Sequence, residues 1–404
     1  MKHVELLAPA GNLEKMKTAL TFGADAVYCG APDFSLRVRI NQFDLPKIRE
    51  GIEFAHELGK KVYITVNIFA HNKHLLNLED YILKLKDLNP DALIVSDPGI
   101  LSVIKQVWPE AEIHLSTQAN CTNWQAAKFW HEQGVKRVIL GREVTLEEIK
   151  EIHEKVPEVE LECFVHGAMC MSYSGRCLLS KFFTDRSANL GDCTQPCRWE
   201  YKTFLQEIKR PDELLQIEED EHGSYIMNSQ DLCLVGHLKE LVDAGIVSLK
   251  IEGRAKSLYY VGNTINIYRQ ALDNLHKDSQ EQLQSYLHDL QKSQNRGFTK
   301  GFIFGADQCE QKTDASHEKC DWEFCGQVVE YKNNQLHVKV HNQLFVNDDV
   351  ELVVPHAETV AMKVEKLYND TNESITEAHG GQDAIVRIPH DKELPSGTLM
   401  RRKV

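Results

Sequence analysis

Residues 5–30 read "ELLAPAGNLEKMKTALTFGADAVYCG", and the fold follows from how this stretch is parsed. A short apolar run, "ELLAPAG", stops at a glycine. "NLEKMKTALTFG" then spaces its apolar residues as a helix does, and "DAVYCG" opens a second apolar run. Strand, helix, strand is the unit of a parallel sheet. Strands of such a sheet are covered on both faces, so they read as near-continuous apolar runs rather than as alternating ones.

The unit repeats outward from there. The helix "LPKIREGIEFAHELG" precedes the strand "KVYITVN". A helix over 77–87 leads to "ALIVSD", and one over 98–107 leads to "EIHLSTQA". A helix from Asn123 to Gly134 comes next, followed by "RVILGRE", the helix "TLEEIKEIHEKV" and the strand "VELECFVHG". The eighth repeat is delayed: "HLKELVDAG" reads as a helix, "VSLKIEG" as a strand, and "SLYYVGNTINIYRQALDN" as a closing helix. Eight alternating units predict an α/β fold of the closed (β/α)8, TIM-type barrel class; an open doubly wound sheet is also compatible with the pattern. The predicted barrel domain spans 1–310 and carries a cysteine-rich insertion at about 166–235. From about 315 the period changes to two, as in "WEFCGQVVEYKNNQLHVKVHNQLFVNDDVELVVP" with turns at "KNN" and "NDD". A small all-β barrel domain is predicted over 318–404.

The chain's 404 residues are 42% hydrophobic and 26% charged, which suits a soluble two-domain protein. No apolar run reaches membrane-span length and no secretory leader is visible, so a cytoplasmic protein without a membrane partner is expected. A net charge of −14, part of it in "EEDEHG" at 218–223, disfavours nucleic-acid binding through a globally basic surface. A local basic patch remains compatible with RNA.

Polar residues gather where the predicted strands end: Asn67 and His71, Asp97, Ser116, Thr117 and Gln118, Arg142 and Glu143, His166, and Glu252 with Arg254. In a barrel these ends share the C-terminal rim, where sites are built. Asn67, His166 and Glu252 are the candidate catalytic residues.

The insertion reads "HGAMCMSYSGRCLLSKFFTDRSANLGDCTQPC" from His166 to Cys197, with the spacing C-x6-C-x15-C-x3-C over Cys170, Cys177, Cys193 and Cys197. In a reducing compartment, clustered thiols point to metal rather than to disulfides. Only the last pair has knuckle spacing, so an iron–sulfur cluster and zinc both stay open on spacing alone. Cys29, Cys121 and Cys163 sit at apolar strand ends and are expected in the core. Cys309, Cys320 and Cys325 flank the domain junction without ligand spacing. Cys233, in "IMNSQDLC", is the one further cysteine that could replace Cys197 as a ligand.

That insertion, together with "IMNSQDLC", "SLKIEGRAKS", "SLRVRINQF" and the opening stretch, resembles the peptidase U32 family over nearly the whole chain, and most closely its tRNA-hydroxylating branch. The resemblance implies a 4Fe–4S cluster on Cys170, Cys177, Cys193 and Cys197. It implies an oxygen-independent tRNA uridine hydroxylase making 5-hydroxyuridine at the wobble position, with prephenate, a small dicarboxylate, as a partner. An anion of that kind needs guanidinium donors. Arg37 and Arg39, on one face of an extended "SLRVR", are the first candidates, followed by Arg142, Arg176 and Arg254, with Gln118 beside them. RNA contacts are expected from Arg198 and Trp199, from Lys202, Lys209 and Arg210, from Lys250, Arg254 and Lys256, and from the terminal "RRKV". The electron donor stays unassigned. Two other readings compete. A collagenase-like peptidase, as the family name suggests, finds only Cys170 near His166, and neither H-E-x-x-H nor G-x-S-x-G is present. A non-catalytic Fe–S scaffold that binds RNA leaves the polar rim unexplained.

Overall fold

A computed structural model describes residues 3–32, 34–35, 43–169, 179–186, 188, 193–199, 203–206, 214–217, 230–277, 279–305, 318–381 and 384–404. Eight parallel strands form the barrel: β1 Glu5–Ala10, β2 Ala26–Gly30, β3 Lys61–Val66, β4 Ala92–Val95, β5 Ile113–Leu115, β6 Arg137–Ile139, β7 Glu160–Ala168 and β8 Ile246–Ile251. They pair in chain order, and β8 bonds to both β1 and β7, which closes the ring. The closed barrel, not the open doubly wound sheet, is the fold. Its strands are buried almost throughout, as the continuous apolar runs require.

The helices begin where short polar side chains end the loops. Asn12 Oδ1 accepts from Lys15 N at 2.9 Å, Asp44 Oδ1 from Lys47 N at 2.8 Å, and Asp97 Oδ1 from Gly99 N at 2.8 Å. Thr145 and Glu148 form a reciprocal capping box. Each cap satisfies main-chain donors that a helix start leaves unpaired.

β7 runs past the barrel rim. There it pairs antiparallel with the short strand Asp231–Cys233, which in turn pairs with Phe298–Thr299. The insertion that leaves β7 therefore starts from the rim and returns to it. Its described parts include the helix Leu179–Thr184 and the one-turn helix Pro196–Arg198.

The C-terminal domain is an eight-stranded antiparallel sheet that curls into a half-barrel. Strands Trp322–Lys332 and Gln335–Val340 meet through Asn333 and Asn334 at φ 53° and 57°, the left-handed pair a tight hairpin needs. The barrel helix Leu258–Asp273 carries this domain. Asn266 Nδ2 donates to Val354 O at 3.2 Å, and its Oδ1 accepts from His356 N at 3.0 Å. No helix among the described residues is long and apolar enough to cross a membrane.

Candidate active site

Side chains alternate along a strand, so positions two apart point the same way. On β8 and the loop after it, Ser248, Lys250, Glu252 and Arg254 make one ladder from the barrel's lower core to its upper rim. On β3 the ladder is Tyr63, Thr65 and Asn67. The lower layers are unusually polar for a barrel core. Glu5 accepts from Arg137 Nη1 at 2.6 Å, from Ser248 Oγ at 2.8 Å and from the Tyr63 hydroxyl at 2.5 Å. Arg137 reaches Glu162 at 3.3 Å, and Glu162 accepts from Lys250 Nζ at 2.8 Å. Glu5, Arg137, Glu162 and Lys250 are all buried. Burial alone would push the Glu162 carboxyl up, but Lys250 and Arg137 outweigh it and hold the group below the usual carboxylate range. Burial pulls the Lys250 ammonium below the usual lysine value, with Glu162 opposing.

Above this network a cavity of about 120 Å³ opens at the C-terminal rim. Lys250 forms part of its floor, and Tyr28 and Phe164 form apolar walls. Three cations converge on those two rings. The Arg142 guanidinium lies 3.8 Å from the Phe164 ring centre, and Lys250 Nζ lies 4.3 Å from that of Tyr28. Arg254 Nη1 donates to Ser35 Oγ at 3.0 Å and to Thr65 Oγ1 at 3.3 Å, and its guanidinium lies 5.8 Å from the Tyr28 ring centre. Gly30 makes room for this arrangement, since a Cβ there would come within 2.9 Å of Arg254 Nη1 and 2.3 Å of Ser35 Oγ. Glu252 is the acid in the lining. Asn67 Nδ2 donates to Ser116 Oγ at 3.2 Å, and Gln118 Oε1 has no hydrogen-bond partner among the described residues. A small anion with both charged and flat parts fits such a pocket.

The structure brings together Asn67, Gln118, Arg142, Glu252 and Arg254 from the predicted set. It sets His166 apart. That ring packs among Tyr260, Tyr268 and Phe298, with Nδ1 at 3.3 Å from the Tyr268 hydroxyl. Burial, reinforced by Lys256, pushes its pKa down to about 3, so it is neutral at physiological pH. Gly167 follows it at φ 106°, where a Cβ would meet Glu252 O at 2.6 Å. Lys250 is a correction: read from the sequence as an RNA contact, it is buried under the pocket and cannot reach a phosphate backbone. Lys256 lies 4.0 Å from the buried Asp231. The signal that could have found the network was a charged residue inside a buried-strand pattern, as in "SLKIEG" and "LECFV".

Of the cysteine set, Cys193 is exposed and Cys197 partly so. Cys193 Sγ accepts from Ser180 Oγ at 3.5 Å and from Gln195 N at 3.4 Å, a donor pattern compatible with a metal-bound sulfur. Cys170, Cys177, Arg37, Arg39 and Arg176 lie outside the described residues, as do Lys202, Lys209, Arg210, Cys309 and the acidic run 218–223. Cys233 is buried beside the Tyr268 hydroxyl at 3.8 Å, and burial pushes its thiol up to about 11. Cys29, Cys121, Cys163 and Cys325 are buried as well.

With this geometry in place, the chain's relatives give it a context. Residues 11–313 match the model of peptidase family U32, and residues 320–401 match that of the family's C-terminal domain. The chain belongs to peptidase family U32. It is 40% identical to tRNA hydroxylation protein P of Haemophilus influenzae, over 99% of this chain and 96% of that protein. It is 39% identical to tRNA hydroxylation protein P1 of Bacillus subtilis, over 99% and 95%. It is also 38% identical to the 23S rRNA 5-hydroxycytidine C2501 synthase of Escherichia coli, over 67% of this chain and 39% of that one. These U32 relatives bear names for RNA hydroxylation, and an RNA-hydroxylating enzyme is the function they support.

Proposed function

We propose that this U32 protein hydroxylates a tRNA uridine, at the wobble position, to 5-hydroxyuridine, and that the rim cavity holds prephenate or a closely similar dicarboxylate. The convergence of Arg142, Lys250 and Arg254 on two aromatic rings carries the reading. Cations facing a hydrophobic wall suit a ligand that joins carboxylates to an unsaturated ring. Relatives named for tRNA hydroxylation match it over nearly full length, whereas the rRNA synthase shares only part of its own chain. Cys170, Cys177, Cys193 and Cys197 would hold a 4Fe–4S cluster, which supplies electrons when bound. Cys193 Sγ accepts hydrogen bonds from Ser180 Oγ and Gln195 N, donors of the kind that orient a metal-bound sulfur.

The test is mass spectrometry of nucleosides from tRNA of a strain lacking this gene, with and without the intact gene restored. Restored 5-hydroxyuridine is expected. Unchanged 5-hydroxyuridine in the deletion strain would overturn the proposal.

A further inference from the structure

We infer that Lys250 is a catalytic residue that bonds covalently, as an imine, to the 2-oxo group of the acid held in the rim cavity. The inference rests on the reading of that cavity as a dicarboxylate site, because prephenate carries a 2-oxo acid side chain. Four observations place an electrophilic carbonyl at this amine. First, Lys250 lies on the cavity floor, inside a closed barrel, with one hydrogen-bond acceptor among the described residues, Glu162 at 2.8 Å. An ammonium has three donors, so part of its capacity faces the cavity. Second, its Nζ is buried, 4.3 Å from the Tyr28 ring centre and 5.6 Å from that of Phe164. Burial makes the ammonium easier to deprotonate than an exposed lysine, with Glu162 opposing, the usual way a lysine is activated. Third, Arg142 and Arg254 line the same cavity above it, where they can hold carboxylates while the carbonyl carbon meets Nζ. Fourth, an acceptor for the ammonium proton is in place: Glu162 Oε1 takes the Lys250 hydrogen bond at 2.8 Å. Lys250 and Arg137 hold that carboxylate ionised at rest, and the share due to Lys250 goes as its proton crosses.

The step balances without any oxidant or reductant. The ammonium passes a proton to Glu162 Oε1, and the freed amine adds to the carbonyl carbon: a C–N bond forms, the C=O π pair moves onto oxygen, and that oxygen takes one proton from the new N–H2 group to give the carbinolamine. Glu162 returns the proton as the carbinolamine C–O bond breaks and water leaves. The product iminium carries the positive charge that the ammonium carried, so the Glu162 ion pair is kept. A lysine meant only for charge pairing needs no cavity at its nitrogen.

The experiment uses the full chain purified without oxygen. Prephenate, or pyruvate as the smallest 2-oxo acid, is added with sodium cyanoborohydride at neutral pH, and intact mass and peptide mapping are read. One reduced adduct per chain, on Lys250, is expected. Lys250→Met should lose it. Glu162→Gln, which keeps the amine and the shape of the core, should form it at least tenfold more slowly. Arg142→Ala should raise the concentration of acid needed for half-trapping. A parallel thermal-shift measurement separates the two ideas. A melting-temperature rise with prephenate but no adduct on Lys250 overturns the imine and leaves the dicarboxylate site standing. Neither a shift nor an adduct overturns both. Adducts spread over surface lysines, at equal yield in Lys250→Met, also overturn the imine.

Discussion

Two buried charge networks hold this molecule together, and they end differently. At the domain junction Arg401 is fully buried. Its Nε faces Glu351 at 2.7 Å, its Nη1 the Tyr259 hydroxyl at 2.9 Å and Asn263 Oδ1 at 3.2 Å, and its Nη2 Asp289 at 2.8 Å. Lys292 supports it with 2.9 Å bonds to both Glu351 oxygens. Every guanidinium donor is engaged, the second Nη2 donor by Glu351. Under the barrel rim, the chain Glu5–Arg137–Glu162–Lys250 is just as buried but stops at a nitrogen that faces a pocket. Both networks bear the desolvation cost of buried charge. The closed one fixes how the half-barrel docks on the helix Leu258–Asp273. The open one delivers a positive charge to a site.

The largest effect should come from opening the closed network. Arg401→Met takes the guanidinium from Asp289 and Glu351 and leaves Lys292 to pair with both, and a loss of about 3 kcal/mol, the low end for a broken buried pair, is expected. Urea unfolding of the full chain measures it. A loss under 1 kcal/mol would mean the junction is not held by this network.

A buried group that is neutral in the folded chain sharpens the contrast. His166 titrates near 3 when folded and near 6.5 when unfolded. Between those values the unfolded chain binds more protons, so stability falls as pH drops from 6.5 toward 3, by up to about 1.4 kcal/mol per unit. Unfolding free energies from urea titrations at pH 6.5 and pH 5 should therefore differ by roughly 1.6 kcal/mol more in the parent than in His166→Asn. Equal differences would place the proton elsewhere.

The pocket arginines come next. Arg142→Ala or Arg254→Ala should lower 5-hydroxyuridine in tRNA at least tenfold, about 1.4 kcal/mol or more, since hydrogen bonds to charged groups contribute roughly 1.5–3 kcal/mol. Iron content should stay at the parent level. Normal hydroxyuridine in both variants would remove the anion from this cavity.

The smallest effect is expected at the buried sulfur of Cys233, where the same open-and-closed contrast recurs. Cys193 is exposed and accepts two hydrogen bonds, whereas Cys233 is buried against Tyr268 with a raised pKa. Cys233→Ala should leave iron unchanged, and Cys197→Ala should remove most of it. The reverse pattern in iron analysis would exchange the two as ligands.

Much of this was legible before any coordinates. The eight apolar runs separated by helices predicted the barrel, because a strand buried on both faces must be apolar along its length. The switch to period two near residue 315 predicted the antiparallel domain, because such a sheet can leave one face wet. Polar residues at the strand ends marked Asn67, Gln118, Arg142, Glu252 and Arg254 as neighbours, since parallel strands in a closed barrel all end on one rim. His166 met that rule and still fell outside the cavity. It sits where β7 overruns the rim to pair with Asp231–Cys233, a local extension that no periodicity signals.

What only the tertiary structure decided is the charge inside the barrel. Glu5 and Arg137 lie 132 residues apart, and Glu5 and Ser248 lie 243 apart. No local pattern relates them, because their contact exists only after eight strands close into a ring. On its own, Lys250 in "SLKIEG" looks like a surface cation, since a lysine is seldom buried without a partner. Its partner, Glu162, comes from the neighbouring strand β7, 88 residues earlier. The chain's periodicity determines which faces turn inward, but ring closure determines which inward charges meet, and that meeting turned a presumed phosphate contact into the floor of a pocket.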